Sequence, residues 1–268
     1  MKKFFGCALA LFSVASLIPS FAVTRAEAES LLKKAEESTA FYGTDFRGSY
    51  KIEQTRPGEK AKSFEAVMYR RDSAAKWTIL LTGPSSEKGK GYLQTDSNIW
   101  FYDPHDNRFT FSSASDQFRD TNANNSDFGP QSYYSGYDIV SYSDSKLGSY
   151  DCVLFDLKAK AGAKNIDYSR LRLWVTKNDG LTRKKEDYSD SGMKLRTTGI
   201  PSYQNVLGGK SAFSVPVKMV ILDNLKGKKR SDGKIENEST TISISNVKFE
   251  SVDDTVYTKP YLEMMSAR

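Results

Sequence analysis

The chain has 268 residues, 39 Lys and Arg against 33 Asp and Glu, one histidine and two cysteines. A net charge of +6, with acids and bases interspersed, is too mild to imply nucleic acid. One histidine and two cysteines leave no donor set for an ordinary transition-metal site, so neither a metal nor another cofactor is expected.

Met1-Lys2-Lys3 followed by an uncharged run from Phe4 to Ile18, then Pro19-Ser20-Phe21-Ala22, has the form of a secretory signal peptide. The run is short of a bilayer span, and Ser20 and Ala22 supply the small residues of a cleavage site after Ala22. Cys7 lies early in the apolar run and reads as an ordinary member of it, not as a lipidation site. The expected organisation is a leader over 1–22 and one domain over 23–268. Loss of Lys2 and Lys3 lowers the net charge from +6 to +4. An exported chain left with Cys152 alone has no internal disulfide framework, so its stability must come from a core.

Thr24-Arg-Ala-Glu27 is a capping box and opens a helix to about residue 40. Ala28, Leu31, Leu32, Ala35 and Ala40 form its apolar stripe, and Gly43 ends it. From Asp45 the period becomes two. Phe46, Gly48, Tyr50 and Ile52 alternate with polar neighbours, as do Phe64, Ala66 and Met68, then Ala75, Trp77, Ile79 and Leu81. Further strands are expected at 91–95, 98–102, 108–112, 137–142, 150–159, 170–176, 181–189, 194–203, 215–224 and 239–250. About a dozen short antiparallel strands read as a barrel or a large sandwich. The stretch 116–135 breaks the pattern: it is rich in Asp, Asn, Ser and Gly, with Phe118, Phe128, Tyr133 and Tyr134 interspersed. Long irregular loops in compact domains are often functional. Lys226-Gly-Lys-Lys-Arg230 reads as a solvated hairpin tip, or as a contact for anionic head groups or an acidic partner.

Catalysis finds little support. His105 sits in an Asp-Pro-His-Asp turn, without a G-x-S-x-G elbow or the strand–helix alternation that carries one. Cys152 lies in an apolar strand. Asp187, Asp190 and Asn178 read as hairpin-turn residues. No enzymatic activity is expected.

Trp100-Phe101-Tyr102-Asp103-Pro104, entering a tight turn after a strand, resembles the W-F-Y-[ND]-P element of LolA-type periplasmic lipoprotein carriers. Arg70-Arg71, with Trp77 six residues after the second, resembles the family's arginine and strand tryptophan. Leu173-Trp174-Val175, Asp190-Ser-Gly192, Pro216-Val-Lys-Met219, the run from Thr240 to Phe249 and the run from Val256 to Leu262 are similar to the outer-membrane lipoprotein-sorting subgroup.

The resemblance implies a mainly β fold: a curved, incompletely closed antiparallel barrel with an N-terminal helix and lid segments over the concave face. It implies an apolar cavity that shelters acyl chains of a lipoprotein or another lipid across the periplasm. Loading by an inner-membrane ABC-type exporter and delivery to an outer-membrane acceptor follow, and a monomer is expected. The inward residues expected to line the cavity are Phe46, Tyr50, Ile52, Met68, Trp77, Ile79, Leu81, Ile99, Phe101, Phe109 and Phe111. Leu31, Leu32 and Ala35 would seat the lid helix. In the family an arginine holds the lid by bonding its backbone carbonyls. Arg71 is the matching position; Asp72 stands where the family has proline, and Arg70 is equally near. Elementary energetics agree with such a carrier, since each exposed acyl methylene costs about 0.8 kcal/mol. A regulatory lipid-sensing module on the same scaffold and a structural envelope protein with a filled core are the alternatives.

Overall fold

The computed structural model describes residues 23–95, 98–163 and 166–267. The leader expected over 1–22, its cleavage site and Cys7 lie outside the described residues.

The first helix, α1 (Arg25–Glu37), begins as its sequence dictates. Thr24 Oγ1 accepts from the Glu27 amide at 3.3 Å, and the Glu27 carboxylate accepts from the Thr24 amide at 2.8 Å. It ends three residues earlier than expected. Ser38 and Thr39 turn their hydroxyls back to the carbonyls of Ala35 and Glu36 at 2.8 and 2.7 Å, and side chains that bond nearby backbone compete with helix continuation.

Among the described residues thirteen strands follow. The first six are β1 (Phe46–Thr55), β2 (Lys62–Arg71), β3 (Lys76–Gly83), β4 (Gly91–Thr95), β5 (Asn98–Asp103) and β6 (Arg108–Ser112). The other seven are β7 (Tyr137–Leu147), β8 (Tyr150–Ala159), β9 (Arg170–Thr176), β10 (Thr182–Tyr188), β11 (Lys194–Gly208), β12 (Ser211–Lys229) and β13 (Ile235–Phe249). They form one antiparallel sheet in the order β6-β5-β4-β3-β2-β1-β13-β12-β11-β10-β9-β8-β7. The first strand therefore pairs with the last, from Phe46 opposite Phe249 to Thr55 opposite Ser239. The break in the barrel falls between β6 and β7, so the sheet is curved and open, as expected.

That topology explains the long loop. Residues 113–136 join the two free edges of the sheet, so they must cross from one to the other. They do so over the inner face. Phe118, Ala123 and Phe128 are buried there in one cluster with Phe46, Ile52, Met68, Ile79 and Leu81. Helix α1 covers the neighbouring part of the same face, with Ala28, Leu32 and Ala35 against Val153, Phe155, Leu173 and Val175.

The last three strands run longer than the alternation suggests. β11 and β12 continue to a turn at Gly209, whose φ of +62° suits glycine. Lys226, Lys228 and Lys229 belong to β12 itself, and the hairpin tip follows them, where the Arg230 amide donates to the Lys234 carbonyl at 2.8 Å. A second helix, α2 (Lys259–Ser266), was not expected. Its signals are present in Thr258, which caps it, and Pro260 in its first turn. It packs Leu262 on the outer face with Leu80, Leu93 and Tyr102.

Candidate functional site

Strand alternation builds the inner face. Phe64, Ala66 and Met68 of β2, Phe46, Tyr50 and Ile52 of β1, and Trp77, Ile79 and Leu81 of β3 are all buried in the same cluster. Ile99 joins them, and Phe101 packs half-buried at the margin. Nine of the eleven expected residues thus share one face.

Phe109 and Phe111 do not. In the β5–β6 register Phe109 stands opposite Tyr102 and Phe111 opposite Trp100, which places both on the outer face. Phe109 lies in the cluster under α2, with its ring 4.6 Å from that of Tyr102. Phe111 is 64% exposed and meets the Trp100 ring edge-on. The turn at 103–108 sets this register, and a pattern read within β6 alone cannot fix which of its faces is buried.

Two hollows open on the inner face. One has a volume of about 70 Å³ and is walled by Phe46 and Tyr50 of β1, Phe41, Phe128, and Ile200, Val215, Met219 and Ile244 of the last strands. The other, about 390 Å³, follows the break in the sheet, between Trp77, Gln94 and Ile99 on one side and Tyr137 and Leu171 on the other. Phe111 borders it from the edge strand. Gly129, Gln131, Tyr133 and Lys185 belong to both walls, so the segment 128–133 is the partition between them. The smaller hollow has less than half the about 150 Å³ of an apolar cavity that holds benzene.

The crossing segment and α1 act as one cover. The Gln131 amide donates to Thr39 Oγ1 at 2.9 Å, and the Tyr134 and Ser135 amides donate to the Glu36 carboxylate at 2.6 and 2.9 Å. Lys160 Nζ donates to the Tyr134 and Ser135 carbonyls at 2.9 and 3.1 Å.

The arginine that ties this cover to the sheet is Arg70, and the assignment to Arg71 is corrected. Arg70 Nη2 donates to the Thr39 carbonyl just beyond α1 at 3.0 Å, and its guanidinium lies 4.6 Å from the Phe41 ring centre. Asp72 holds it at 2.7 Å and also accepts from the Phe41 amide at 2.7 Å. Arg71, one residue on, points to the opposite face. It donates to Asp45 at 2.7 and 2.8 Å and to the Val252 carbonyl at 2.6 Å, and pairs with Asp254. Burial pushes the Asp45 carboxyl up, but the bonds from Arg71 and the Val252 amide outweigh it and leave it below its ordinary value. Arg71 thus fastens the approach to α2, not the lid.

The other anchor was missed in the sequence. Arg196 of β11 is buried and donates to Asp127 at 2.9 and 3.0 Å, to Asp187 at 3.1 Å and to the Asn122 carbonyl at 3.0 Å. Lys185 Nζ lies 3.4 Å from Asp187 and 3.9 Å from Asp127. Asp127 and Asn122 belong to the crossing segment, so this cluster bolts it to β10 and β11. Burial raises the Asp127 carboxyl, yet the charges of Arg196 and Lys185 win and hold it below its ordinary value. Asp187 is corrected with it: the residue is fully buried within β10, not a turn side chain. Nearby, the Asn122 amide donates to Thr240 Oγ1 at 2.7 Å, and Thr240 bonds Gln54.

His105 is 91% exposed in its turn, where its amide donates to Asp103 at 3.0 Å. Cys152 is buried, and burial pushes its thiol up. Among the described residues no helix is long and apolar enough to cross a membrane.

An open β sheet curved around an apolar face, with a helix and a crossing loop as its cover, is the LolA-like fold. The chain belongs to a family described as "uncharacterized protein", whose model matches residues 73–264. Three solved structures share the fold. A LolA superfamily protein from Nitrosomonas europaea is 22% identical, with a TM-score of 0.68, over 87% of this chain and 98% of its own. A DUF1329 family protein from Desulfovibrio piger is 17% identical, with a TM-score of 0.71, over 87% and 97%. A domain described as an outer membrane lipoprotein-sorting protein, from Vibrio parahaemolyticus, is 15% identical, with a TM-score of 0.72, over 88% and 97%. A search of curated proteins found no match.

Proposed function

We propose that the protein is a carrier of the bacterial cell envelope that takes the acyl chains of a lipoprotein, or another lipid, onto its inner face and passes them towards the outer membrane. The observation that carries this reading is the partition at 128–133. A small hollow with a largely apolar wall and a larger one of mixed polarity lie on either side of a segment that is joined, with α1, to the sheet by discrete polar anchors. Those anchors are Arg196 on Asp127 and Arg70 on the Thr39 carbonyl. Withdrawal of the segment joins the hollows and exposes the apolar residues beneath it.

The reading includes no covalent chemistry. The exposed His105 and the buried, unreactive Cys152 serve no common site. Export by the leader, an inner-membrane exporter that loads the protein and an outer-membrane acceptor that unloads it belong to the same proposal. The named functions of the LolA superfamily and lipoprotein-sorting structures support it by likeness of fold.

Native mass spectrometry of the protein purified from its own envelope without detergent tests the proposal. An adduct with the mass of an acylated lipid or lipoprotein is the expected result. A bare protein that also takes up no apolar fluorescent dye overturns it in favour of a filled structural core.

A further inference from the structure

One corner of the smaller hollow departs from its apolar surroundings. Thr182 and Thr198 both belong to its wall. They are 2% and 5% exposed; among the described residues the Thr198 hydroxyl has no hydrogen-bond partner, and the Thr182 hydroxyl has none beyond the approach of the Tyr133 side chain. The backbone arranges this corner. A bulge between Thr182 and Lys184 of β10 keeps Thr182 and Lys185 on the same face, and Lys185 stands directly opposite Thr198 in β11. Valine has the shape of threonine and suits a strand equally well, so the unpaired buried hydroxyl of Thr198 opposes stability.

We propose that this corner receives the carbonyl oxygen of an acyl ester or amide, with the attached chain lying along the apolar wall. The proposal rests on the lipid-binding reading above and names the chemical class of the ligand.

Charge decides the class. Both cations on the wall already have counter-ions. Lys185 lies 3.4 Å from Asp187, and Arg196 shares Asp187 and Asp127 with it, so the cluster holds two cations and two anions. Arg70 is paired with Asp72 at 2.7 Å. With the crossing segment closed over the ligand and Asp127 in place, a carboxylate or phosphate brought here meets no spare positive charge, and a buried unpaired anion is strongly disfavoured. A neutral carbonyl needs only a donor, and the Thr198 hydroxyl can supply it, with Thr182 beside it. Ile200 and Met219 offer the adjoining apolar surface.

An acyl ester reaches an envelope protein from two sources, a glycerolipid or the diacylated cysteine of a lipoprotein. The experiment is competition against N-phenyl-1-naphthylamine bound to the purified protein. The competitors are dodecane, methyl dodecanoate, dodecanoate, a dihexanoyl phospholipid and a synthetic diacylated cysteine peptide. The expected result is that methyl dodecanoate competes about 2- to 10-fold better than dodecane, the worth of one neutral hydrogen bond. In Thr198→Val, and in the double variant with Thr182→Val, that preference is lost and the thermal midpoint does not fall.

Competition by the phospholipid or by the peptide identifies the source, and failure of both contradicts the proposal. Equal competition by ester and alkane in the unmodified protein overturns the carbonyl corner and leaves lipid binding intact. Dodecanoate as the best competitor assigns the corner to a carboxylate and overturns the neutral class. A lower midpoint in Thr198→Val gives the hydroxyl to the fold and overturns the proposal. Failure of the dye to bind at all removes the lipid-binding reading, and this one with it.

Discussion

The inner face is two surfaces of different chemistry. On β1 to β3 it is a sheet of aromatic and aliphatic side chains, with Phe46, Ile52, Met68, Ile79 and Leu81 buried and no charge among them before Arg70. On β10 and β11 it carries Lys185, Asp187 and Arg196, all buried as well. The crossing segment 113–136 meets the first surface with Phe118 and Phe128 and the second with Asp127. The apolar contact is non-directional and fits any hydrophobic occupant. The ionic contact is directional and fits only this segment. A cover built this way finds one closed position over an apolar surface, which the proposed carrier reading gives to a lipid.

The comparison breaks most severely at Arg196. Arg196→Met leaves Asp127 and Asp187 buried with Lys185 alone, and loss of one partner from a buried ionic network typically removes about 3–5 kcal/mol. Urea unfolding measures it as a lower midpoint. Phe128→Ala removes the apolar half of the same cover. A loss of about 3 kcal/mol is expected, near the low end for buried phenylalanine because the side chain already borders a hollow. The same variant binds more dye than the unmodified protein, since its missing ring enlarges the entrance; dye titration reads this.

Arg70 and Arg71 sharpen the contrast between the two faces. Arg70→Met frees the Thr39 carbonyl and leaves the buried Asp72 without its cation, with a loss of about 3 kcal/mol, the low end for a broken buried pair because Asp72 keeps the Phe41 amide. Hydrogen exchange then accelerates at the end of α1 and at 131–135. Arg71→Met accelerates exchange at 252–257 instead. Thr24→Ala removes the cap of α1 and lowers stability by about 1 kcal/mol, measurable by thermal melting.

The smallest effect is that of pH. The Asp127 carboxyl is held below its ordinary value in the folded protein. Its contribution is therefore fully present above the unfolded value of about 3.9 and fades as pH falls through the lower folded value. The Asp127 carboxylate contributes no pH dependence between about pH 5 and 8. Urea midpoints of the unmodified protein and Asp127→Asn across that range are expected to differ by a constant amount.

Alternation made most of the apolar surface legible. Once Phe64, Ala66 and Met68 are placed inward, counting two further residues along β2 gives Arg70, not Arg71, as the arginine facing the lid. The register agrees, since Arg70 pairs with Trp77. The signal for the correct arginine was therefore present, and the likeness to the family's spacing drew attention to its neighbour. The polar surface carried no such signal. Lys185, Asp187 and Arg196 sit in segments that read as wet strands and turns, and Asp127 lies in a loop without periodicity. The β10–β11 register sets Asp187 opposite Arg196 and beside Lys185, and only the crossing between the sheet's two edges brings Asp127 to them. Burial of a charge depends on partners distant in the chain, which no local pattern encodes. Thr182 and Lys185 share a face because of a bulge, and a bulge shifts the period that alternation relies on.

The most direct measurement is photocrosslinking of the purified protein with an acyl probe that carries a diazirine near the end of its chain, followed by mapping of the labelled residues. Labels concentrated on Phe46, Ile200, Met219 and Ile244, and reduced by competing lipid, are expected if ligand lies beneath the cover. Labels confined to outer-face residues such as Trp100 and Phe111, with none on those four, contradict a lipid site on the inner face.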